Sequence, residues 1–160
     1  MKENFIEKVL RSKYLFKKGI KKLSIDLPKT YQSKPTVIDF YNNNVWPEFA
    51  ILSEFKRQGY SGVWVDSFHG KVWSAEGKAF DKKNLPESIK EIFTEKIKGC
   101  WDVVVWKGRE IKFIESKGIP SRDKIRENQV SFLKVMLSKG FNFDNFLIVE
   151  WDYKPELHGL

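Results

Sequence analysis

The chain has 160 residues, 41% of them hydrophobic and 15% aromatic, which suits one globular domain with a sizeable core. A net charge of +8 favours a polyanionic partner, nucleic acid first, although a solvated basic surface accounts for the same figure. The single cysteine, Cys100, excludes an internal disulfide and a cysteine-based zinc cluster. No run approaches the ~18 apolar residues of a membrane span and no signal-peptide pattern stands out, so we expect no membrane partner and an intracellular, cytoplasmic location.

Residues 1–18 are expected to form a basic amphipathic helix. Phe5, Ile6, Val9, Leu10 and Phe16 give a helix-spaced stripe, and Lys2, Lys8, Arg11, Lys13, Lys17 and Lys18 make it cationic. Residues 24–36 carry Pro, Ser and Thr and read as a linker, while Asn42-Asn43-Asn44 reads as a turn. The family resemblance given below does not reach the first 45 residues, which are on that ground taken as an accessory extension, and the stretch from 46 to 153 as the functional domain. That domain begins with a helix over 47–58, with Pro47 suited to its first position and Gly59 to its end. Glu48, Leu52 and Phe55 share one stripe of it. Glu48 stands either at the mouth of a core-facing side or simply at the favourable end of the helix dipole.

Gly62–Phe68 reads as a strand, returning through His69-Gly70-Lys71 to Val72-Trp73. Asp66 and His69 lie close to that turn, which is the ordinary place for exposed polar residues. After a polar loop over 75–85, a helix is expected from Leu85-Pro86-Glu87 to about Lys98, with Ile89, Ile92, Phe93 and Ile97 on one side. A helix over 124–138 should be capped by Ser121 or Asp123. It carries Ile125, Phe132, Leu133 and Met136 on a buried stripe that also takes Gln129. Asn145–Trp151 is near-continuously apolar, as a strand covered on both faces should be. The tail from 154 to 160 is short and includes His158.

Between the helices ending near Lys98 and starting at 124 lies the informative stretch, CWDVVVWKGREIKFIESK over 100–117. Two Val/Ile-rich runs joined across Gly108 are a hairpin signal. With Gly108 and Arg109 as the central turn residues, Lys107 faces Glu110, Trp106 faces Ile111 and Asp102 faces Glu115. Opposed residues share a face, and Lys117, two places beyond Glu115, shares it as well. Two carboxylates side by side with a lysine beside them are costly unless something compensates them. A hard divalent cation would, since it takes oxygen ligands and keeps water in the rest of its shell. The plain structural alternative has Asp102 capping a strand and Glu115 paired with Lys117 or Arg109 at a solvated sheet edge.

Asp102 followed by Glu115-Ser116-Lys117 resembles the PD-(D/E)xK nuclease signature. The continuation Lys117-Gly118-Ile119-Pro120, then Asp123-Lys124-Ile125 and Gln129, resembles the virus-type replication-repair nuclease family (VRR-NUC) over roughly Glu48 to Trp151. Two positions depart from its pattern: Trp101 stands where Pro usually precedes the Asp, and Ser116 replaces an aliphatic residue. The elements read as a mixed α/β domain, a small central sheet flanked by helices in the order α-β-β-α-β-β-α-β, and the resemblance implies a restriction-endonuclease-like core. It implies a metal-dependent DNA endonuclease that hydrolyses phosphodiester bonds in branched DNA, such as junctions and flaps, in the setting of DNA repair and Holliday junction processing.

On this resemblance Mg²⁺ or Mn²⁺ is held by Asp102, Glu115, the carbonyl of Ser116 and Glu48, with Glu54 as the second choice for the helix carboxylate. Lys117 holds the attacking water and Gln129 orders the site. Arg122, Lys124 and Arg126 are placed to hold the DNA backbone. A homodimer is the natural way to make paired cuts on a two-fold substrate, with the helix over 1–18 as its surface. Two other classes compete. One is a non-catalytic nucleic-acid-binding module that retains the nuclease fold, and the other is a basic adaptor for an acidic protein. Steep salt dependence of DNA binding would separate the last from the first two.

Overall fold

The structure is a computed structural model that describes residues 21–27, 37–38, 44–66, 70–118 and 125–153. In chain order these give β1 (Lys21–Leu27), β2 (Val37–Ile38), β3 (Asn44–Val45), α1 (Pro47–Arg57), β4 (Ser61–Asp66) and β5 (Lys71–Trp73). There follow α2 (Glu87–Thr94), β6 (Val103–Lys107), β7 (Glu110–Gly118), α3 (Glu127–Ser138) and β8 (Phe146–Tyr153), with short 3₁₀ turns at Lys82–Asn84 and Phe143–Asn145. From residue 47 onward the order is α-β-β-α-β-β-α-β, as expected. The main sheet is mixed and runs β1-β8-β7-β6-β4-β5, while β2 and β3 form a separate two-stranded ribbon. The β5-β4-β6-β7 half is antiparallel. β8 joins β7 in parallel, because α3 carries the chain over one face between them, and β1 joins β8 in parallel on the far side.

Both faces of the sheet are covered, which explains why its central strands lack a polar side. α1 lays Ile51, Leu52 and Phe55 on Val103, Val105, Ile114 and Val149. The opposite face meets α2 and α3, where Ile89, Ile92, Phe132, Leu133 and Met136 pack with Val104, Phe113 and Ile148. Successive residues of β6 and β7 thus serve the two cores alternately. Phe113 anchors the second core, with ring centroids 5.5 Å from Phe132, 5.3 Å from Phe141 and 5.2 Å from Phe146. Each large apolar side chain buried in this way is worth about 1.5–3 kcal/mol.

Several expected boundaries move. Residues 24–27, expected as linker, belong to β1, and Asn44, expected in a turn, belongs to β3. α2 ends at Thr94 and not near Lys98. Lys96 adopts φ +54°, and the N–H groups of Ile97 and Lys96 donate to the carbonyls of Ile92 and Phe93, which closes the helix in a Schellman-type end. α3 begins at Glu127 and not near Lys124, with Arg126 as its N-cap residue, and the expected caps Ser121 and Asp123 lie outside the described residues. The expected helix over 1–18 and residues His69, Arg122, Lys124 and His158 lie outside the described residues.

Candidate active site

The β6–β7 hairpin sets the site. Its register pairs Lys107 with Glu110, Trp106 with Ile111 and Val103 with Ile114. Gly108 supplies the positive φ (+60°) that the first turn position requires, and Arg109 does without one, as in a type II′ turn. Asp102, one residue before β6, therefore stands opposite Glu115. The backbone ties the two together reciprocally. The N–H of Asp102 donates to Glu115 Oε1 at 3.1 Å, and the N–H of Ser116 donates to Asp102 Oδ2 at 3.0 Å. The carbonyl of Asp102 is held from the other side by the N–H of Val65 at 2.7 Å.

Lys117 and Gln129 complete the cluster. Lys117 Nζ lies 2.8 Å from Glu115 Oε2 and donates to Gln129 Oε1 at 3.3 Å. Gln129 Nε2 donates in turn to Glu115 Oε2, and Gln129 Oε1 accepts the N–H of Arg126 at 2.8 Å. One amide thus caps α3 and orients both charged partners, which fixes which of its ends faces which. The backbone carbonyl of Gln129 accepts the indole N–H of Trp101 at 3.1 Å. The N-terminus of α3 is pinned here because Gly99 presses on it. A Cβ at Gly99 would sit 2.1 Å from the carbonyl oxygen of Asn128, and its φ of +81° already disfavours any side chain.

This cluster is interior: Glu115, Lys117 and Gln129 are only 1%, 2% and 5% exposed. The solvated-edge alternative for Glu115 and Lys117 therefore does not apply. They do pair with each other, but inside the protein. Burial pushes the Glu115 carboxyl well above the usual carboxylate range, and the neighbouring Asp102 charge pushes the same way. The Lys117 ammonium and the Asp102 N–H oppose the shift without cancelling it. The Cys100 thiol is also driven up, by burial first and then by the charges of Glu115 and Asp102.

The donor set suits a hard divalent cation. Asp102, Glu115 and the Ser116 carbonyl are oxygen donors, and a dication beside two crowded carboxylates would reverse the push on Glu115. Among the described residues no group of three or more His, Cys, Asp and Glu is placed to hold a metal ion. The hairpin itself offers two carboxylates and a backbone carbonyl oxygen to such an ion. That fits Mg²⁺ better than a metal needing a full protein cage, since Mg²⁺ keeps several waters.

The structure thus brings together Asp102, Glu115, Ser116, Lys117 and Gln129 from the sequence-predicted set. Glu48 sits half-buried in the first turn of α1. Glu54, the second choice, is engaged by Arg57 at 2.5 Å, and that hydrogen bond holds its carboxyl below the ordinary range. Asp66 ends β4 opposite Lys71. The Arg126 side chain is exposed at the rim, one residue before α3. Sequence reasoning missed Glu150 on β8, which is 4% exposed and is the register partner of Lys117. Its signal was a carboxylate inside an otherwise apolar strand. No family model, no curated protein and no solved structure matches the chain, and no helix among the described residues is long and apolar enough to cross a membrane.

Proposed function

We propose that this chain is a divalent-cation-dependent nuclease of the PD-(D/E)xK type, similar to the VRR-NUC family, that hydrolyses phosphodiester bonds in DNA. The observation that carries the reading is the opposed pair Asp102 and Glu115, held in register with Lys117 on the same face. Two crowded carboxylates, one of them interior, weaken a fold and have no use in binding a polyanion, whereas they are what a cation site for phosphate chemistry needs. The element order from α1 to β8, with α3 crossing between the parallel strands β7 and β8, agrees with a restriction-endonuclease-like core.

In this reading Asp102, Glu115 and the Ser116 carbonyl hold Mg²⁺ or Mn²⁺. Once bound, the ion polarises the scissile phosphate and makes a coordinated water more acidic. Lys117 orients the attacking water and offsets charge that builds on the phosphate. Gln129 keeps Lys117 and Glu115 at fixed separation and transmits their positions to α3. The Arg126 side chain, leaving the same cap, meets the DNA backbone from the rim, with Arg122 and Lys124 preceding it in sequence. Branched DNA is the proposed substrate and a homodimer the proposed working form.

A second reading, a nucleic-acid-binding module without catalysis, draws on the Lys117–Glu115 pair, which is closed off and already hydrogen-bonded. Labelled four-way junction, flap, duplex and single strand, each incubated with Mg²⁺, Mn²⁺ or EDTA, separate the two. The nuclease reading expects metal-dependent cutting and loss of Mn²⁺ binding by calorimetry in Asp102→Asn. Binding without cutting in either metal supports the second reading, and unchanged Mn²⁺ affinity in Asp102→Asn removes that residue as a ligand.

A further inference from the structure

We propose that Glu150 is the counter-ion of Lys117 in the cation-loaded site, a positioning residue that holds the lysine in place when a divalent cation engages Glu115. The inference rests on the cation-site reading above. β7 and β8 pair in parallel, with Lys117 opposite Glu150. Phe146 and Ile148 pack in the core beneath α2 and α3, so alternation along β8 puts Glu150 on that face too, with Glu115 and Lys117. Adjacent strands lie about 4.8 Å apart, so the two side chains start as neighbours. Both are interior, at 4% and 2% exposure.

Register sets Glu150 opposite Lys117 and not opposite Glu115, whose partner on β8 is Ile148, so it is assigned to the lysine. Charge decides what it is for. Asp102, Glu115, Lys117 and a dication together leave one unbalanced positive charge in the interior, and Glu150 cancels it. A cation on Glu115 also competes for the oxygen that Lys117 now uses at 2.8 Å and repels the ammonium. The carboxylate one strand away is then the group that keeps Lys117 inside the site and directed at the substrate.

Mn²⁺ calorimetry on the full chain tests this, with Glu115→Gln as the control for the site. If wild type binds no Mn²⁺, or Glu115→Gln binds it equally well, the cation-site reading falls and this proposal falls with it. If the site stands, Glu150→Gln should weaken Mn²⁺ binding about tenfold, and adding Lys117→Gln should restore it to near the wild-type level. Wild-type affinity in Glu150→Gln overturns the proposal. So does a loss that Lys117→Gln does not repair, since that is the mark of a packing role alone. Should Glu150→Gln fail to fold, Lys117→Gln is compared with the double variant. With the lysine gone its counter-ion has nothing to hold, so the two should bind Mn²⁺ equally, and a tenfold difference, the mark of an effect independent of Lys117, overturns the proposal.

Discussion

The two ends of the β6–β7 hairpin are built on opposite electrostatic rules. At the turn end Lys107 faces Glu110, charges of opposite sign, and both are exposed. Glu110 also accepts the Tyr60 hydroxyl at 3.0 Å and lies 3.4 Å from Lys112. Lys107 donates to the Gln58 carbonyl at 3.2 Å and stands 5.4 Å from the centre of the Tyr60 ring. Lys107 and Glu110 thus each have polar or aromatic partners and access to water. At the far end Asp102 faces Glu115, charges of the same sign, and the second of them is buried. One end follows the rule for a stable sheet, and the other violates it where solvent cannot help. Local departures from stability of this kind mark the part of a molecule shaped by chemistry.

That contrast can be broken most severely by exchanging the roles of the two lysines. Lys117→Ala should lower metal-dependent cleavage by about 10²–10³-fold while DNA affinity is retained. Lys107→Ala should leave cleavage unchanged. Equal effects, measured as initial rates on the preferred labelled DNA, would erase the distinction between the ends.

A second break targets what holds the far end in place. Gly99→Ala forces a Cβ into the Asn128 carbonyl and strains a positive φ, so it should cost about 2–4 kcal/mol in denaturant unfolding. A wild-type midpoint would mean that the loop before β6 and the start of α3 do not depend on this contact.

The pH dependence sharpens the comparison. The folded Glu115 carboxyl is shifted up by burial and by Asp102. Its contribution to stability is therefore complete below the ordinary carboxylate range and is lost as pH rises through the shifted value. Thermal melts of the metal-free protein should show this fall, and Glu115→Gln should flatten it. Saturating Mn²⁺ should offset it, because the ion binds the ionised form. A fall of the same size in Glu115→Gln would assign it to another group. The smallest expected effect is at the turn end. Glu110→Gln should change stability by less than about 1 kcal/mol, the usual range for exposed pairs, and a larger change in the same melts would show that this end matters more than its exposure implies.

What could be read from the sequence follows from which contacts are local. A two-residue turn fixes the register of everything upstream and downstream of it, so Asp102 opposite Glu115, with Lys117 beside them, was available by counting. Gln129 was legible as a polar residue on an apolar helix stripe that had to find partners. Its double duty as the cap of α3 was not, because Ser121 and Asp123 are stronger capping residues by type. Glu150 was hidden by a different cause. Parallel pairing of β7 and β8 is set by a crossover, and nothing in the chain states which residue of one strand meets which of the other. β1 was obscured in the same way. Leu23, Ile25 and Leu27 alternate with Ser24 and Asp26, but Pro28 and the polar residues after it drew the reading toward a linker, and the partner strand lies at the other end of the chain. The end of α2 rests on a lysine in a conformation usually left to glycine.

The position of β1 bears on how this protein can be handled. Its other sheet edge, β5, is three residues long, which by itself limits pairing with outside strands. β8 has eight residues and is shielded along Leu147 to Tyr153 by β1. Trimming the chain to 46–153 would strip that shield and bare a long hydrogen-bonding rim next to Glu150. Such a fragment would be prone to strand-mediated association, and a failure to cut DNA would say nothing about Asp102, Glu115 or Lys117.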